Sequence, residues 1–186
     1  MSSRTASLLG WLACLVTITG SAFAAPPSSL SGLVTRVSLT DAQKDDIKDY
    51  ANHYLGLLQN GGVEDVMRAR AKLIDPMSNV MSGSSSLFRS TYAANLLPTL
   101  ENIIDMDDAY RSINALQVAG FLGTESAVNI LVERTESASE PAAEKRLWAV
   151  IALREAISRG DLTSRKISSA ARNLARASED ENDWKV

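Results

Sequence analysis

One cysteine and one histidine are all that the 186 residues offer for thiolate, imidazole or soft-metal chemistry. Cys14 lies inside an apolar N-terminal stretch, so the rest of the chain has no disulfide, no thiolate nucleophile and no cysteine zinc site. Lipid attachment at Cys14 is disfavoured, because Trp11 stands where a leucine is wanted and the apolar run continues past the cysteine. Aromatic residues make up only 5% of the chain, and Gly and Pro are sparse at 10 and 5. No glycine-rich phosphate loop, G-x-S-x-G elbow or S-x-x-K motif occurs, and the Ser82 to Ser86 run reads as a linker. A net charge of −3 and an isoelectric point near 5.2 argue against a general binder of nucleic-acid backbone.

The few remaining candidates for chemistry have simpler explanations. His53, with Asp49 one turn earlier, could be a general base oriented by a carboxylate. It has no accompanying nucleophile and projects away from the apolar face of its helix, so a solvated surface pair is the better reading. Asp105, Asp107 and Asp108 suggest calcium, but an EF-hand loop from Asp105 needs glycine at its sixth position and glutamate at its twelfth. Tyr110 and Leu116 stand there, so helix capping accounts for the aspartates. No cofactor, no metal and no nucleic-acid partner is expected.

What the chain does contain is helix-forming sequence, rich in Ala, Leu, Arg and Glu. Arg4 is the only charge before Arg36, and residues 8–25 read LLGWLACLVTITGSAFAA. The stretch ends in Ala22-Phe23-Ala24, the small-x-small pattern of signal-peptidase sites, so residues 1–24 read as a signal peptide and the protein as secreted or periplasmic. An uncleaved segment of this length could instead anchor the chain in a membrane. Residues 25–36 read as a flexible lead-in, 37–178 as a single all-helical domain, and 179–186 as a disordered acidic tail.

Helix signals punctuate the domain. Thr40 and Gln43 form a capping box ahead of a helix that ends at Gly61-Gly62. A second helix is expected from 63 to 74, stopped by Asp75-Pro76, and a third from 87 to 97, divided at Pro98. Further helices follow Asp107-Asp108, Thr124, Ser139-Glu140-Pro141 and Thr163, with Gly123 and Gly160 as stops. Those at 107–122 and 143–158 are apolar around most of their circumference, which predicts cover on more than one side. The last helix should bury Ile167, Ala170, Ala171 and Leu174. Buried middle helices between one-sided outer ones are what a short helical stack requires.

The segment DAYRSINALQVAGFLGTESAVNILVE resembles a bacterial HEAT-like (armadillo/HEAT-type) repeat unit. Arg111 stands near the start of its first helix, Ala115 and Leu116 in the middle, and Leu122-Gly123 at the turn. A second unit matches at an offset of 34 residues, pairing Arg111 with Lys145, Ile113 with Leu147, Ala115 with Ala149 and Leu116 with Val150. The resemblance covers residues 107–178. It implies an all-α fold of about six to eight helices, a right-handed stack of antiparallel helix pairs (an α-solenoid), and protein binding without catalytic residues.

Residues 141–178 carry eight basic and three acidic side chains. Arg165, Lys166, Arg172 and Arg176, with Trp184 in the acidic tail, form the candidate partner-binding face, which the tail itself could shield. The function expected is an exported, non-catalytic helical-repeat module that binds a protein. An extracytoplasmic hydrolase or lyase using surface carboxylates, or a membrane-anchored helical adaptor, is the alternative.

Overall fold

The computed structural model describes residues 29–78, 83–160 and 162–181. The expected signal segment and Trp184 lie outside the described residues. The described chain is all-helical: α1 (Asp41–Asn60), α2 (Val63–Ser78), α3 (Ser86–Ile104), α4 (Ala109–Leu122), α5 (Glu125–Glu133), α6 (Ala143–Arg159) and α7 (Ser164–Glu179).

Local chemistry sets most helix starts. The Thr40–Gln43 capping box closes in both directions at α1. Ser85, Asp108, Thr124 and Thr163 each accept a backbone N–H with the side chain at the starts of α3, α4, α5 and α7. α6 begins later than Ser139-Glu140-Pro141 would place it. Its N-terminal cap is Ala142, whose N–H donates to the buried Glu140 carboxylate at 3.1 Å.

Neither internal proline ends its helix, in contrast to expectation. Pro76 sits inside α2 and removes the N–H that would reach the Lys72 carbonyl four residues back. The Tyr50 hydroxyl of α1 donates to that carbonyl at 2.7 Å, and the Tyr92 hydroxyl of α3 donates to the next, Leu73, at 2.9 Å. The Tyr50 side chain thus supplies the bond that the proline takes away, and Tyr92 bonds the adjoining carbonyl. Pro98 and Ala94, the residue whose carbonyl Pro98 leaves unbonded, are both exposed, so that group faces solvent and α3 runs on to Ile104.

The cross-links reveal two rows of helices, alternating along the chain. Arg111 Nη2 reaches the Gly61 carbonyl at 2.7 Å, and Arg70 Nη1 reaches Gln117 Oε1 at 2.8 Å. Start lies by start and middle by middle, so α2 and α4 run in the same direction. Lys145 Nζ, at the start of α6, donates to Met106 just before α4 at 2.7 Å, and the Gly123 and Gly160 ends of these helices meet. α4 and α6 therefore also run together. α7 lies beside α5 in one direction, with Thr163 bonded to Glu125 and Lys166 to Asn129. α1 packs on α3. Even-numbered helices form one row, odd-numbered helices the other, and residues 41–104 follow the same alternation as the rest. Arg111 and Lys145, paired by the 34-residue offset, act alike: each ties its helix to carbonyls of an earlier inter-helix turn.

Two glycines mark where the even-numbered row closes up. Gly123 has φ +58°, a left-handed helix end that favours glycine. A Cβ on Gly120 would lie 2.8 Å from the Ala152 carbonyl oxygen, so α4 and α6 meet backbone to backbone over Ala115, Ala119, Ala149 and Ala156, all buried.

The core extends beyond the expected domain edge. Leu30 and Val34 are buried, and the Val34 carbonyl accepts from Ser85 N–H at 2.9 Å. The described part of the lead-in is therefore packed structure. At the other end α7 continues through Glu179, and Glu181 forms a two-pronged pair with Arg146 at 2.6 and 2.8 Å, which extends order into the expected tail. α7 fully buries only Ala170; Ala171 and Ile167, expected inside, are exposed.

Candidate functional site

The sequence-selected basic face is only partly assembled. Arg165, Arg172 and Arg176 recur at seven and four residues along α7 and stand exposed on one side. Lys166 lies off that line and bonds Asn129. Arg176 borders a hollow of about 100 Å³ with Glu136 and Asp180. The carboxylate of Glu181 meets Arg146 of α6.

His53 is half-buried, its ring edge-on to Tyr54 at 4.8 Å, and no hydrogen bond joins it to Asp49 among the described residues. Asp108 caps α4; the Arg111 backbone N–H, assisted by the Arg111 side chain, holds its carboxyl below the usual range. Asp105 pairs with Arg134 at 2.7 Å. Among the described residues no three of His, Cys, Asp and Glu are grouped to hold a metal ion.

A cleft of about 380 Å³ lies where α3 and α5 begin and α4 and α6 end, bordered by Arg89 and Arg159. Both arginines serve the fold: Arg89 Nη1 donates to the Leu122 carbonyl at 3.0 Å, while Arg159 pairs with Glu155 and covers the Phe121 ring at 4.2 Å.

A different surface stands out on the even-numbered row. Helical spacing puts Val63, Met67, Arg70 and Ile74 in a line on α2, Tyr110, Ile113, Gln117 and Phe121 on α4, and Glu144, Trp148, Ile151 and Glu155 on α6. The lines are neighbours on one side of the row: the Tyr110 hydroxyl meets the Val63 carbonyl, Arg70 meets Gln117, and Arg159 bridges Phe121 to Glu155. Val63 is 65% exposed, Met67 50%, Ile151 45% and Tyr110 39%. Among the described residues Tyr50, Tyr54, Phe88 and Tyr92 are buried, and the aromatics that are not (Tyr110, Phe121 and Trp148) all lie on this face. Excess apolarity on α4 and α6 is therefore partly surface, where cover on several sides was expected. Sequence periodicity held the signal, since Tyr110, Ile113, Gln117 and Phe121 fall one turn apart opposite the buried Ala115, Ala119 and Leu122.

No family model, curated protein or solved structure matches this chain.

Proposed function

We propose that the chain is an exported, non-catalytic interaction module, a short HEAT-like stack whose even-numbered row docks a protein partner. The observation that carries this reading is that, among the described residues, Tyr110, Phe121 and Trp148, the Phe, Tyr and Trp side chains that are not buried, lie with Met67, Val63 and Ile151 on one face of α2, α4 and α6. Protein-binding surfaces are enriched in aromatics and methionine, and large apolar side chains gathered in one patch mark such sites. The two alternating rows and the matched roles of Arg111 and Lys145 support a repeat stack. The α7 stripe of Arg165, Arg172 and Arg176 supports a second reading, a contact for an acidic partner, because these three arginines stand exposed in a line.

Capture from the exported fraction tests the choice when run with surface variants. Loss of one stoichiometric protein partner from Met67→Glu/Ile151→Glu, with retention by Arg172→Glu/Arg176→Glu, supports docking on the even-numbered row. The reverse pattern would move the site to α7, and retention by both variants would end both readings. N-terminal sequencing of the exported protein tests cleavage after Ala24.

A further inference from the structure

Independently of where a partner docks, we infer that α7 is an exchangeable arm. Two copies of this chain pair by each laying its α7 on the other's α5, with each copy's Glu181 seated on the other's Arg146. The seat that receives the arm is fixed without it. Arg146 stands in α6 with its side chain nearly buried, and its Nη1 donates to the Glu140 and Pro141 carbonyls at 3.0 and 2.9 Å. Those bonds, made to the turn just ahead of α6, present Nε and Nη2 to the Glu181 carboxylate, which they grip at 2.6 and 2.8 Å. At the far end of the seat Glu125 and Asn129 of α5 receive Thr163 and Lys166.

The arm brings little that would keep it on its own copy. Of its 16 residues only Ala170 is fully buried, and Ile167 and Ala171 are exposed. The side-chain bonds described above tie it down at its two ends, so lifting it uncovers little apolar surface. Lifting does deprive a nearly buried guanidinium of the Glu181 carboxylate, a costly state, so an opened chain closes again on a carboxylate. Its own arm and a neighbour's arm carry the same carboxylate on the same helix. Both satisfy the seat, and concentration decides between them. The connection favours exchange: α6 ends at Arg159 and α7 begins at Ser164, so the chain reverses within residues 160–163, and short connections of this kind invite swapping. Reciprocal exchange fills both seats and gives a two-fold dimer that displays two even-numbered rows.

Sedimentation of the full chain comes first, with a dimer expected whose share grows with concentration and which relaxes slowly to monomer on dilution. A chain that stays monomeric at millimolar concentration would overturn the inference. So would a dimer that Met67→Glu/Ile151→Glu dissolves, since the contact would then lie on the even-numbered row. Disulfide trapping identifies what is exchanged. Asn129→Cys on one chain and Lys166→Cys on another, each with Cys14→Ser, place thiols at positions bonded across α5 and α7. After mixing and oxidation a linked heterodimer is expected, and neither chain alone should link. Glu181→Gln in both chains should make the linked product appear about tenfold sooner at an unchanged final yield, because closed monomer and dimer lose the same bond. Asn129→Cys/Lys166→Cys on one chain controls for geometry. Internal closure there, with no linked heterodimer from the mixture, would overturn the exchange. Closure in neither would mean that α7 does not sit on α5, which overturns it as well.

Discussion

Replacing Gly120 by alanine probes the closest approach in the fold, and the same replacement at Gly56 is its control. Both glycines are inside helices, where alanine is favoured by about 0.5–1 kcal/mol. Gly56 is exposed with nothing within 4 Å of a new Cβ, so Gly56→Ala should stabilise the protein by that amount. At Gly120 the Cβ would meet the Ala152 carbonyl oxygen at 2.8 Å, its Cα at 3.0 Å and its Cβ at 3.1 Å. These are backbone and near-backbone atoms that cannot rotate aside, so α4 and α6 must separate along an alanine-lined seam. Overpacking of this kind costs about 1–3 kcal/mol, which leaves a net loss of up to about 2.5 kcal/mol after the helix-propensity gain. Urea denaturation followed by circular dichroism measures both variants, with an unchanged slope as the check on two-state behaviour. Equal stabilisation by the two substitutions would show that α4 and α6 do not meet this closely.

Two further perturbations test the polar supports. Burial pushes the Tyr92 phenol well above its usual range, and Tyr50 shifts in the same direction for the same reason. Their contribution is complete below the unfolded-chain value near pH 10 and is lost as pH rises above it. Urea midpoints should therefore fall between about pH 9 and 11; Tyr92→Phe should cost about 0.5–1.5 kcal/mol at neutral pH by removing the buried hydroxyl's bond to the Leu73 carbonyl, and should flatten the alkaline fall. A wild-type curve flat through pH 11 would contradict the burial of these hydroxyls. Glu181→Gln leaves the Arg146 guanidinium buried without its charge partner; the two side chains are 10% and 7% exposed. Because α7 fully buries only Ala170, the response should be local release of that helix, seen as faster amide exchange across Ser164–Glu179 with the core transition shifted by less than about 1 kcal/mol. Unchanged exchange in α7 would mean that the pair does not hold it.

The helix boundaries were legible where one residue decides them. Thr40, Asp108, Thr124 and Thr163 cap, and Gly61, Gly123 and Gly160 stop, because each acts on backbone groups within a turn of itself. Errors arose where the deciding partner is distant in sequence. Pro76 reads as a terminator because the hydroxyls of Tyr50 and Tyr92, 26 residues before and 16 after it, cannot be placed beside α2 by local pattern. Leu30 and Val34 sit in a short Ser- and Pro-containing stretch that carries no period, yet they enter the core. The candidate site suffered from a different ambiguity. Periodicity reports which side of a helix is apolar, not whether another element covers it, so the apolar circumferences of 107–122 and 143–158 read as covered on several sides although Tyr110 and Ile151 are exposed. The C-terminal arginines were readable as exposed, but the pairing of Glu181 with Arg146 spans 35 residues and had no local sign.

The proline within α2 also binds two positions, 50 and 76, into one heritable unit. With Pro76 present, Tyr50 is valuable for its hydroxyl; with an ordinary residue there, the helix supplies its own N–H to Lys72 and the Tyr50 hydroxyl loses its acceptor. The worth of the Tyr50 hydroxyl therefore depends on which residue stands at 76. A lineage that lost the proline first could shed the Tyr50 hydroxyl at little cost, whereas one that lost the tyrosine first would carry an unsatisfied carbonyl at Lys72. The order in which these substitutions arise, and not only their sum, decides which intermediates remain folded.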